Sequence, residues 1–140
     1  MSRHGLFVWI VFLGLTAYMT VACGSGHTIQ SITVSPASAD AQNYPNGKVP
    51  FVATGHYNSA PATVTPLQAN WGAASSSVPA DGAVTIGSNG VAQCNAGATG
   101  TYTIGAWVNL SVNGTPPCPS FPFGAASCNY VLGTAKLTCP

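Results

Sequence analysis

Thr101-Tyr102-Thr103-Ile104-Gly105-Ala106-Trp107-Val108-Asn109-Leu110-Ser111-Val112 is the stretch whose reading decides the fold. Tyr102, Ile104, Ala106 and Val108 alternate there with Thr101, Thr103 and Gly105. A period of two puts one set on each side of a strand, and Thr, Val, Ile and Tyr suit a pleated surface. Trp107 falls in the opposite phase from Tyr102, Ile104 and Ala106. It is therefore either a solvent-face aromatic or a residue packed under the C-terminal strand.

The same pattern recurs on both sides of this segment. Ile29 to Val34 reads as a strand stopped at Pro36. Val49 to Tyr57 follows the turn Pro45-Asn46-Gly47 and puts Phe51, Ala53, Gly55 and Tyr57 on one face. Leu67 to Trp71 offers Leu67, Ala69 and Trp71 inward. Ala83 to Ile86 is short, and Ser88-Asn89-Gly90 turns into Val91 to Cys94. Tyr130 to Cys139 follows a Pro-rich loop. No window holds a helical period, and Gly, Pro, Asn and Ser break every run. About seven strands at this spacing predict an all-β chain, a single antiparallel β-sandwich.

Charge narrows the function. The 140 residues include three basic and two acidic side chains, Arg3, Lys48, Lys136, Asp40 and Asp81, and the charged fraction is 4%. Soluble domains usually run near ~25%. A net charge of +1 cannot build a phosphate-neutralising surface, so no nucleic acid is expected as a partner. Two aspartates do not readily supply a carboxylate pair together with its supporting charges. His56 sits on a strand facing away from Phe51 and Tyr57, and no Gly-x-Ser-x-Gly elbow accompanies it. Asp81-Gly82 reads as a turn. The reading is non-enzymatic, without a cofactor.

The N-terminus reads as an export signal. Arg3 precedes the apolar run Leu6 to Leu15, which matches a signal-peptide core and is too short to span a bilayer as a helix. Thr20 and Ala22 suit a peptidase that cuts before Cys23. Val21-Ala22-Cys23 resembles a bacterial lipoprotein box, with Thr20 standing where leucine is usual. The resemblance implies lipid on Cys23, membrane attachment through that lipid, and, because Gly24 is no aspartate, outer-membrane or cell-surface placement. The expected organisation is a signal peptide over 1–22, an anchor cysteine and short linker containing His27 over 23–28, a sandwich over 29–112 and a Cys/Pro-rich loop with the final strand over 113–140.

A second resemblance covers about residues 29–108. Ile32-Thr33-Val34-Ser35-Pro36-Ala37, Val49 to Tyr57 and Asn70-Trp71 resemble the opening half of group 2 bacterial Ig-like domains. Val84-Thr85-Ile86, Ser88-Asn89-Gly90-Val91, and Ala96-Gly97 leading to Gly100-Thr101-Tyr102-Thr103-Ile104 continue the match. Two departures are the acid-poor stretch Asn58 to Gln68 and the cysteine-bearing tail. The resemblance implies an Ig-like sandwich of the kind found in surface adhesins, serving structure, adhesion or assembly. The tail would form a disulfide-bonded C-terminal extension.

The remaining candidates are cysteines and aromatics. Lipidation of Cys23 leaves Cys94, Cys118, Cys128 and Cys139, an even set that an exported chain would oxidise. Four cysteines allow three pairings, which spacing does not decide. The preferred one joins Cys118 to Cys128 and Cys94 to Cys139. Without a Cys-x-x-Cys or a neighbouring histidine, no metal site is expected. Trp107, with Phe121 and Phe123 in the Pro-flanked loop, carries the one hint of a ligand. Exposed aromatics stack on sugars or fill a partner's pocket, so the alternative function is a carbohydrate- or peptidoglycan-binding module using Trp107. Possible partners are accordingly a cell-surface protein or a glycan.

Overall fold

The computed structural model describes residues 26–75, 78–80, 82–110 and 128–140. The expected export segment and residues 111–127 lie outside these residues. Eleven strands are present among the described residues: β1 (Ile29–Ser35), β2 (Ser38–Asp40), β3 (Lys48–Pro50), β4 (Val52–Tyr57), β5 (Thr63–Val64), β6 (Asn70–Ser75), β7 (Val78–Pro79), β8 (Val84–Ile86), β9 (Val91–Cys94), β10 (Gly100–Asn109) and β11 (Tyr130–Cys139).

The expected strand over 49–57 is there as β3 and β4, interrupted at Phe51. The Phe51 amide donates to Gly90 O at 2.9 Å, on the β9 side, and the pairing with β1 begins at Val52. Treated as one strand, β3–β4 joins two ladders into one layer, with β1 on its β4 half and β9 then β8 on its β3 half. The facing layer has the order β2-β11-β10-β6-β7. The chain is thus an all-β sandwich, with β1, β3–β4, β9 and β8 opposite β6, β10 and β11. These seven strands follow the order of an immunoglobulin constant-type sandwich, and β2 and β7 add an edge strand on each side of the facing layer.

β10 is the spine. It pairs with β11 over its whole length, from Gly100 opposite Cys139 to Asn109 opposite Tyr130, and with β6 from Thr103 opposite Ala74 to Trp107 opposite Asn70. The C-terminal segment is therefore a full member of the sandwich. Short strands that the sequence pattern did not predict finish the layers. β2 pairs in parallel with β11 and β5 pairs with β4, while β7 pairs with β6.

Between the layers, Phe51, Ile104, Leu137 and Val49 are the largest side chains that are fully buried. The alternation along β10 and β4 sends Ile104, Ala106, Ala53 and Phe51 into this core, as the period of two requires. Burying such side chains contributes roughly 1.5–3 kcal/mol each. Many other core positions are alanine, so the two layers lie close at several points.

One close approach is at Gly133 in β11. A Cβ there would lie 2.5 Å from Ile32 O of β1 and 2.8 Å from the Ile32 side chain. Backbone cannot yield as a side-chain tip can, so Gly133→Ala must lever β1 off the opposing layer. We expect a loss of about 1–3 kcal/mol, read as a lower urea midpoint with an unchanged m-value.

Candidate functional site

Two expected site residues are joined directly. Cys94 at the end of β9 and Cys139 at the end of β11 form a disulfide with Cα atoms 5.8 Å apart, linking one layer to the other. Cys128 is also disulfide-bonded, and its partner lies outside the described residues. Cys23, Cys118, Asp81, Phe121 and Phe123 fall outside them as well.

For Trp107, burial decides between the two readings. Its phase does point it to the outer face of the five-stranded layer, but it is only 4% exposed. A second apolar cluster forms on that face, where Ala74, Cys128, Tyr130 and Leu132 pack with Trp107. Sheet pairing places Leu132 directly opposite Trp107. A side chain enclosed in this way is not an open stacking platform, so of the two readings open for Trp107 the packed one holds and the exposed-aromatic alternative does not.

The histidines are engaged in structure. His56 Nε2 lies 3.1 Å from Thr33 Oγ1 across the β1–β4 ladder. Asp40 is on the other layer, where its carboxylate accepts from Gln42 N at 3.0 Å and caps the short 3-10 turn Ala41–Asn43. His56 and Asp40 thus serve separate local contacts on opposite layers. Among the described residues, no three His, Cys, Asp or Glu side chains gather in one place.

His27 stacks flat on Tyr57, with ring centroids 4.1 Å apart and planes 7° apart, and its Nδ1 is 3.1 Å from Ser59 Oγ. Asn58 completes this clamp. Its side chain accepts from Thr28 N at 2.9 Å and donates to Gly26 O at 3.2 Å, while Asn58 N donates to Thr28 O at 3.2 Å. The linker is therefore tied to the sandwich from Gly26 onward. β1 and β11 begin at this end and β4 and β10 finish there, whereas Cys94 and Cys139 close the opposite end.

The cavity sits on the side of the sandwich where β6 crosses toward the β8–β9 turn. It is a groove of about 390 Å³. Phe51 and Leu67, at 1% and 9% exposure, make its floor. Half-buried Trp71 and exposed Val52 and Pro66 make its walls, and Gln68, Ser88 and Asn89 form its rim.

The shape of this groove depends on Gly90. That residue has φ +78°, and a Cβ on it would fall 2.4 Å from Phe51 O and 2.9 Å from the Trp71 ring. The Trp71 benzo ring thus rests against bare backbone. Asn89 Oδ1 accepts from Val91 N at 3.2 Å, which steadies the turn at the rim. The sequence reading placed Trp71 inward. It missed that Pro66, Gln68 and Trp71 would meet Ser88 and Asn89, because the Gly90 turn brings the latter two close only in the folded chain.

Chemically the site offers an aromatic wall, an apolar floor and uncharged amide and hydroxyl groups. Among the described residues no ionisable side chain lines it. No protein-family model matches this chain, and no curated protein is similar to it in sequence.

Proposed function

We propose that the chain is an exported, lipid-anchored, non-enzymatic Ig-like module of the bacterial cell surface, serving structure, adhesion or assembly. The observation that carries this reading is the clamp at Gly26–Thr28. A lipid on Cys23 would be separated from the folded body by only Gly24 and Ser25 before the chain is tied to Asn58 and Tyr57. So short a connection leaves little play between anchor and body. The end where β1 begins then faces the membrane, and the Cys94–Cys139 end points away from it.

The strand order and the inter-layer disulfide support the Ig-like and exported parts of the reading. Low charge supports the anchor, since a tethered molecule does not rely on electrostatic repulsion to stay dispersed.

The test is the mass and partitioning of the protein made in a bacterial host. The wild-type chain is expected in the detergent phase, beginning at Cys23 with added diacylglyceryl and acyl mass. Cys23→Ser is expected to lose that mass and leave the detergent phase. Wild-type protein recovered in the aqueous phase with an unmodified Cys23 would overturn the anchor.

A further inference from the structure

We propose that the Trp71 groove binds a neutral sugar, one or two β-gluco-configured pyranoside rings of a glycan. This deepens the adhesive part of the function proposed above and rests on that part. It does not depend on the lipid, so the two ideas can fail separately.

The argument begins with the two faces of such a ring. With every hydroxyl equatorial, the flat faces present axial C–H groups and the perimeter presents donors and acceptors. The groove is arranged in the same way. Trp71 gives an aromatic wall beside buried Phe51 and Leu67, and exposed Gln68, Ser88 and Asn89 line the same groove. An amide side chain both donates and accepts, so it can meet a pair of adjacent hydroxyls.

Charge then selects among ligands. A charged ligand must give up hydration on entering, and among the described residues no charged side chain lines the groove to compensate it. A neutral ligand loses less. Size points to a small ligand as well, because about 390 Å³ is near the lower end of the ~300–1,000 Å³ range of ligand clefts. A protein partner would ask for a broader apolar surface with clustered anchors. Among the described residues the one exposed large hydrophobic side chain is Val52.

The groove is also built in advance. Gly90 fixes the turn beneath the Trp71 ring, and the Phe51 amide is held by Gly90 O. Little ordering remains to be done when a ligand arrives.

The experiment uses mature full-length protein in detergent micelles, titrated calorimetrically with cellotetraose and chitotetraose and, as the anionic counterpart, tetragalacturonate. At least one neutral tetramer is expected to bind, with a change in Trp71 fluorescence and an affinity insensitive to salt from about 0.05 to 0.5 M. Trp71→Phe is expected to weaken binding about 10-fold and Gln68→Ala about 3- to 10-fold. Gln68 is exposed, so its variant retains the fold and carries the test if Trp71→Phe does not fold. The proposal is overturned if neither neutral tetramer binds the folded protein, if tetragalacturonate binds as tightly, or if binding in Gln68→Ala is undiminished.

Discussion

Replacing Cys94 and Cys139 together by alanine is expected to lower the stability of the oxidised protein by about 4 kcal/mol. The bond spans 45 residues, and closing a loop of that length removes roughly this much chain entropy from the unfolded state. The melting temperature should fall by something on the order of 15 °C for a domain of this size. Two features make the loss severe here. The bond ties β9 in one layer to β11 in the other, and the core it supplements is rich in alanine. Small domains with thin cores commonly rest on such links. The check is a thermal melt followed by circular dichroism, with the double variant beside the wild type. A shift of only one or two degrees would mean that side-chain packing holds the layers together without this bond.

The second large effect is at Gly90. Gly90→Ala should cost about 2–5 kcal/mol, as two separate penalties combine there. The residue sits at φ +78°, where a Cβ crowds its own backbone, and that Cβ would also fall 2.4 Å from Phe51 O. Relief means moving the turn, which lengthens the bond from Phe51 N to Gly90 O and lifts the floor of the groove. Gly97 is the matched control. Its φ is +81°, yet nothing lies within 4 Å of its Cβ position. Gly97→Ala should therefore show the backbone penalty alone, roughly 1 kcal/mol. Equal losses in the two variants, measured by urea titration, would remove the steric role assigned to Gly90.

Those two sites mark where local pattern stops being informative. Alternation along 101–109 was readable because each residue's side depends only on its own phase in the strand. The burial of Tyr102, Ile104 and Ala106 followed directly. Trp107 did not follow, although its phase was right. Whether an outward residue meets water depends on what else packs on that face, and the cluster with Ala74, Tyr130 and Leu132 comes from other strands. The split at Phe51 has the same origin. Its amide extends the β3–β9 pairing to Gly90 O, a partner distant in sequence, while the β1 pairing begins at Val52.

The candidate site was legible only in parts. Pro66, Gln68 and Trp71 lie within one short stretch, and the Ser88-Asn89-Gly90 turn could be recognised from its residues. That the turn would stand beneath the Trp71 ring required the β8–β9 hairpin to pair with β3, a contact no local signal encodes. The linker was read as a plain spacer. The stacking of His27 on Tyr57 and the bonds of Asn58 make its last residues part of the folded body.

By itself, then, the sequence determined the class of structure: all-β, sandwiched and nearly uncharged. These properties depend on composition and on a period of two, which act residue by residue. Only the tertiary structure decided that the C-terminal strand pairs along the whole of β10, that Trp107 is covered, and that Trp71 lines an open groove. Each of those outcomes depends on which distant segments share a face, and that is fixed by packing the whole chain at once.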